Sequence, residues 1–119
     1  MGKKIKSISK LKKEADRVFS LWVRARESRC VTCGGKNDQC GHFISRSHNI
    51  LRYDKRNGHS QCVGCNIFKS GNYPAYTQFM LKTYGPDIID KLLKEKQKLH
   101  QFTRSELESI ITTYQNLIK

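Results

Sequence analysis

Residues 40–66 read "CGHFISRSHNILRYDKRNGHSQCVGCN". The run holds three of the chain's four histidines and three of its five cysteines, together with Asn49, Asp54, Asn57 and Asn66. It lies between two segments of helical apolar spacing, and its own Gly, Asn, Asp and Ser residues break any helical period. It is either a metal knot that holds a small protein together or a place where a bond is cut, and the surrounding residues bear on both.

The knot comes first. Cys30-x-x-Cys33 and Cys62-x-x-Cys65 are two thiol pairs separated by 28 residues. Each C-x-x-C turn puts two sulfurs on one side of a tight knuckle, and two knuckles supply the four soft ligands of tetrahedral Zn2+. The separation exceeds the usual spacer of about 15–20 residues, and the surplus carries the histidines. Four thiolates leave no open position, so such a zinc is structural. Cys40 stands outside both pairs, either as a core cysteine or as a neighbour of a second site.

A chain of 119 residues is enough for one domain. With 37% apolar and 28% charged residues it is core-poor, and small polar-centred domains need a staple. The net charge of +13 points to a polyanionic partner, nucleic acid first. Residues 1–29 carry ten basic and three acidic groups, residues 30–72 six and two, and residues 73–119 seven and five. The basic footprint therefore falls on the N-terminal half. No run approaches the ~20 apolar residues of a membrane span, and the basic N-terminus has no apolar signal region. A cytoplasmic protein is expected, where cysteines bind metal more often than they pair.

Residues 1–28 are expected to form a basic amphipathic helix, with Ile8, Leu11, Ala15, Val18, Phe19 and Trp22 on one face. Lys10, Lys12, Lys13 and Arg17 lie on the other, as candidate phosphate contacts. Residues 29–72 form the metal-bound core, in which "DQCGHFIS" and "NILRY" are candidate strands. Residues 73–119 are helical. Asn72, Pro74 and Gly85 bound one helix. "DIIDKLLKEKQKL" gives a second, with Leu99 on its stripe. Thr103 and Glu106 open a third with a capping box. These C-terminal stripes pack as core or offer a dimer interface.

Once zinc takes four cysteines, His42, His48, His59, Asp54, Asn57 and Asn66 remain. Phosphodiester hydrolysis needs a base to activate water and a cation to stabilise developing charge. A histidine suits the base, and Asn or Asp oxygens suit Mg2+ or Mn2+. Arg46, His48, Arg52, Lys55, Arg56 and Lys69 are candidates to hold a DNA backbone. Asn66 follows Cys65 at the start of an expected helix, whose N-terminal dipole favours a phosphate.

The order His42, Asn57, Asn66 resembles the HNH, or ββα-metal, nucleases, in an H-N-N version whose last Asn is similar to that of endonuclease VII-type junction resolvases. "SISKLKKEADRVFSLWVRARES", "CVTCGG", "GHFISRSHN", "RYDKRN" and "HSQCVGCNIFKSGN" look like the bacteriophage lambda NinG (Rap) recombination nucleases, over roughly residues 7 to 85. The resemblance implies an α+β, mostly helical fold with a zinc-stapled, treble-clef-like HNH core. It also implies cleavage of branched DNA such as Holliday junctions and D-loops, leaving 5′-phosphate and 3′-hydroxyl ends, in the bacterial host cell. His42 would be the general base, Asn57 would orient it and brace the loop, and Asn66 would hold the catalytic ion. One departure stands out: Gly41 occupies the position where HNH enzymes carry a second metal ligand. His59 and Asp54 are the candidates to replace it. The alternative is a zinc-stapled DNA-binding module without catalysis.

Overall fold

The computed structural model describes residues 5–119; the first four residues of the expected basic segment lie outside the described residues. Helix α1 spans Ile8–Arg26. The Ser7 hydroxyl caps it, accepting from the Lys10 amide at 3.1 Å, an interaction that contributes about 1 kcal/mol. Leu11, Ala15, Val18, Phe19 and Val23 are its buried residues, at the expected spacing of three and four. Ile8 sits at the exposed end of the stripe, and Trp22 is partly buried.

Strands β1 (Gln39–His42) and β2 (Gly58–Gln61) form one antiparallel pair. The register sets Gln39 opposite Gln61, Cys40 opposite Ser60, Gly41 opposite His59 and His42 opposite Gly58. Opposed residues share a face. Cys40, His42, Gly58 and Ser60 therefore turn toward α1, and Gln39, Gly41, His59 and Gln61 turn away from it. Gly58 has no room for a side chain, since a Cβ there would lie 2.5 Å from the Phe19 ring.

The expected strand at "NILRY" is instead a one-turn helix, α2 (Asn49–Arg52). The Asn57 side chain explains the curl. Fully buried, it accepts from the Ile44 amide at 2.8 Å and donates to the carbonyls of Ile44 and Leu51 at 2.9 and 3.1 Å. Backbone groups that a strand would pair across a ladder are satisfied inside the loop.

After Cys62 comes a five-residue π-helical turn, Gly64–Phe68, in place of the start of a regular helix. Ser70, Gly71 and Asn72 then adopt positive φ in succession, at 48°, 96° and 49°, and reverse the chain into α3 (Tyr73–Tyr84). Asn72 occupies the N-cap position without making a cap bond; its Nδ2 donates to Cys65 Sγ at 3.5 Å. Gly85, at φ 96°, ends α3 as expected. Helix α4 (Ile88–Glu95) is shorter than its pattern suggested, and Leu99 lies beyond it, fully exposed. Helix α5 (Arg104–Ile118) carries the expected capping box of Thr103 and Glu106.

Two apolar clusters flank the hairpin. One joins α1 and α5 through Phe19, Val23, Leu107, Ile111 and Tyr114, with Tyr53 and Phe102. The other joins Phe43, Ile44 and Leu51 to Tyr76, Met80, Ile88 and Leu92. The result is a mostly helical α+β structure. Among the described residues, no helix is long and apolar enough to cross a membrane.

Candidate functional site

The two knuckles meet. The sulfurs of Cys30, Cys33, Cys62 and Cys65 all lie within 4.8 Å of one another, and Cys33 and Cys62 are 3.6 Å apart. A tetrahedral zinc with bonds of about 2.3 Å sets its sulfurs about 3.8 Å apart, so the spacing fits a single ion. The backbone is arranged for thiolates: the amides of Gly35 and Cys65 donate to Cys33 and Cys62 at 3.4 and 3.3 Å. Burial pushes the Cys30 thiol up, but hydrogen bonds led by the Thr32 hydroxyl bring it down to about 6. The Gly35 amide pulls Cys33 down, yet the other three sulfurs crowd it up to about 12. Four sulfurs this close need a cation between them if all are to be charged. Cys40 lies outside this cluster, in the α1 side of the hairpin, where burial raises its thiol to about 12.

Beside the knuckles opens a cleft of about 610 Å³. Its strand residues, Gln39, Cys40 and His42, all come from β1. Asn66 and Ile67 line it from the π-turn, Asp16 and Ser20 from α1, and Asp38 and Arg46 from the flanking loops. His42 and Asn66 therefore share one cavity.

His42 Nε2 lies 2.8 Å from the backbone carbonyl of Arg52. A carbonyl only accepts, so Nε2 carries the proton and Nδ1 holds the lone pair. Burial holds the His42 pKa below its ordinary value, which favours the neutral ring. Arg52 is itself fixed: its Nε and Nη2 reach the two oxygens of Asp16 at 2.8 and 2.6 Å. Burial alone would raise the Asp16 carboxyl, but this fork from Arg52 holds it below the usual range. Asn66 Nδ2 donates to Gln39 Oε1 at 2.7 Å, and the Asn66 side-chain carbonyl oxygen has no partner among the described residues.

Several expected site residues stand elsewhere. Asn57 braces the loop but makes no bond to the His42 ring; Arg52 holds that ring instead. His59 is buried on the opposite face of the hairpin. Its Nδ1 meets Glu27 at 2.5 Å, and its Nε2 meets the Arg56 carbonyl and the Tyr84 hydroxyl, each at 3.1 Å. Asp54 is engaged by Arg56 at 2.8 and 3.0 Å and lines a different cavity. Neither reaches the cleft, so neither supplies a ligand there. Arg52 and Arg56 are committed to carboxylates, Arg56 to Glu95 as well, and act as struts rather than free cations. The π-turn is too short to carry the expected N-terminal dipole.

The bare Gly41 also has a physical cause. A Cβ there would sit 1.8 Å from Gln61 Oε1. Gln61 is fully buried, and its Nε2 donates to the Gly71 carbonyl at 2.9 Å, which fixes the orientation of the amide. Its side chain fills the volume that a ligand at position 41 would need.

Cations stand on the elements that carry the site. Arg46 is exposed and lines the cleft, and Lys69, also exposed, directly follows the π-turn. Lys12, half-buried, and Lys13, exposed, line a shallow groove that shares Asp16 with the cleft; Lys10, Arg17 and Lys55 are exposed, whereas His48 is half-buried. Sequence reasoning missed Asp16, Asp38, Gln39 and Gln61. A charged residue four positions before Ser20 on a solvated helix face gave no signal of its own.

The chain is similar to proteins called ninG in several phages. It is 31% identical to protein ninG of Salmonella phage P22 over 113 residues, which cover 90% of this chain and 55% of that protein. The ninG proteins of Escherichia phages 933W and lambda are 30% and 29% identical, again over 90% of this chain and 56% and 55% of their own lengths. The chain thus spans about half the length of the curated relatives it matches. No solved structure matches it significantly. The family model for the bacteriophage lambda NinG protein matches residues 2–119, well past the stretch in which the resemblance was legible, and the chain therefore belongs to the NinG family.

Proposed function

We propose that this chain is a metal-dependent HNH-type endonuclease that hydrolyses phosphodiesters in branched DNA, with His42 as general base. The observation that carries the reading is the shared cleft of His42 and Asn66. An imidazole whose burial favours the neutral form, with no partner on Nδ1 among the described residues, stands in the same cavity as a carboxamide oxygen that likewise has none among them, both fixed to the cysteine platform or to α1.

His42 would take a proton from water at Nδ1, while the Arg52 carbonyl holds the ring in the required tautomer. Mg2+ or Mn2+ fits the donor set: Asn66 and Asp38 offer hard oxygens in the cleft and water fills the remaining positions. When bound, the ion would stabilise charge on the scissile phosphate and its leaving oxygen. Arg46, Lys69 and the lysines of α1 would guide the DNA backbone. Preference for Holliday junctions or D-loops, two opposed nicks made by a homodimer, and a role in phage recombination belong to the same proposal.

The alternative, a zinc-stapled DNA-binding module, is favoured by one observation. Gln61 occupies the space of the ligand that Gly41 lacks. The two readings part in one assay. Labelled four-way junction and linear duplex are incubated with the protein in Mg2+, in Mn2+ and in EDTA. Cleavage that needs the ion and disappears in His42→Ala, with binding retained, supports the nuclease. Binding without cleavage in either ion supports the module.

A further inference from the structure

Phe68, at the end of the π-turn, is 82% exposed, and its neighbour Ile67 is 55% exposed. Among the described residues Phe68 joins neither apolar cluster and stacks on no other ring. Its setting is rigid. The Lys69 amide donates to the Gly64 carbonyl at 2.9 Å and the Gly71 amide to the Cys65 carbonyl at 2.8 Å, which ties the turn to the cysteine platform. Ile67, Ser70 and Tyr73 line the cleft that holds His42 and Asn66, so Phe68 lies in the chain between two residues of its wall, with its own ring turned to solvent. Lys69 follows it directly, and Arg46, with 62% of its side chain exposed, lines the same cleft.

An apolar ring held rigidly among cations suits a polyanion that also offers flat apolar faces. Unstacked nucleobases are that chemistry. A continuous duplex hides its base faces in the stack, whereas a branch point breaks the stack and exposes them.

We propose that Phe68, backed by Ile67, stacks on an unstacked base at the branch point and so selects branched over linear DNA. This rests on the reading that the cleft takes DNA. Selectivity would come from the interrupted stack rather than from base identity, because every base has a π-face.

The test compares the full zinc-loaded chain with Phe68→Ala, Phe68→Trp and Leu99→Ala, the last a fully exposed apolar residue outside the cleft. Affinities for a four-way junction and a duplex of equal length are measured without catalytic ion, using strands with 2-aminopurine at the branch point. Phe68→Ala is expected to bind the junction about tenfold more weakly, with a smaller loss on duplex. It is also expected to abolish the fluorescence change at the branch. Phe68→Trp should retain both, and Leu99→Ala should match wild type. If wild type cuts the junction and Phe68→Ala binds it equally well, the stacking role is wrong and the nuclease reading stands. Equal losses on junction and duplex also overturn it, as does a dimer abolished by Phe68→Ala with DNA binding intact. A wild-type chain that neither binds nor cuts branched DNA overturns both.

Discussion

The backbone carbonyl of Arg52 lies 2.8 Å from His42 Nε2, while the guanidinium of the same residue grips Asp16 on α1. One residue thus fixes the tautomer of the candidate base and anchors it to a helix distant in sequence. Replacing Arg52 by Lys keeps the charge but loses the two-pronged geometry. The expected result is a ten- to hundredfold fall in the rate of junction cleavage, about what a misplaced catalytic group costs. Zinc content and circular dichroism should stay at wild-type levels. Cleavage at the full rate in Arg52→Lys would show that the strut does not position the base.

The pH profile follows from the same ring. A general base acts when neutral, and burial lowers the His42 pKa. Activity should therefore rise with pH and level off below the ordinary titration range of a histidine. A limb that levels off above that range would assign the step to another group. The measurement is single-turnover cleavage at fixed ionic strength and fixed divalent ion.

The cysteine cluster should act as a folding element. Metal affinity formed only in the native chain is folding free energy, so Cys62→Ala or a strong chelator should remove the cooperative thermal transition. One equivalent of zinc released on unfolding, read by a chromogenic dye, is the matching result. A chelated protein that melts as before would contradict a structural metal.

Gly41 and Gln61 should be energetically coupled. Gly41→Ala forces its methyl group onto the Gln61 amide and should destabilise by about 1–3 kcal/mol. Gln61→Ala opens that space but strands the Gly71 carbonyl, at a similar cost. The double variant should be more stable than the two losses predict, by about 1 kcal/mol or more. Strict additivity in urea melts would mean the two positions do not compete for one volume.

The charged face of α1 is open to a direct measurement. Changing Lys10, Lys12, Lys13 and Arg17 to Gln should weaken DNA binding and reduce the slope of log Kd against log salt by about two to three. The change should fall short of four, because Lys12 is half-buried and lies 5.8 Å from the Phe102 ring centre. An unchanged slope would move the DNA path off this helix.

What the sequence revealed and what it hid have separate physical causes. The knuckles were legible because C-x-x-C spacing alone brings two sulfurs together, and the capping box of α5 because its chemistry is local. β2 was not. Its residues, Gly58, His59, Ser60 and Gln61, are all buried and none is apolar, so no alternation marks them. They are satisfied from afar: Glu27 accepts from the Ser60 amide and hydroxyl, through its side chain and its carbonyl respectively, each at 2.8 Å, and engages His59. The same remoteness concealed Asp16, whose partner Arg52 is 36 residues away. "NILRY" misled because its apolar and polar residues suit a strand, while the loop's geometry is decided by Asn57.

The packing of α1 against α5 has a consequence for biosynthesis. The two helices are separated by nearly 80 residues of chain. At ribosomal rates of about 5–20 residues per second, α1 emerges several seconds before its cover is made. During that interval Leu11, Val18 and Phe19 lack their α5 partners. The hairpin and its knuckles can close meanwhile, but the apolar face of α1 stays uncovered until the last helix is synthesised.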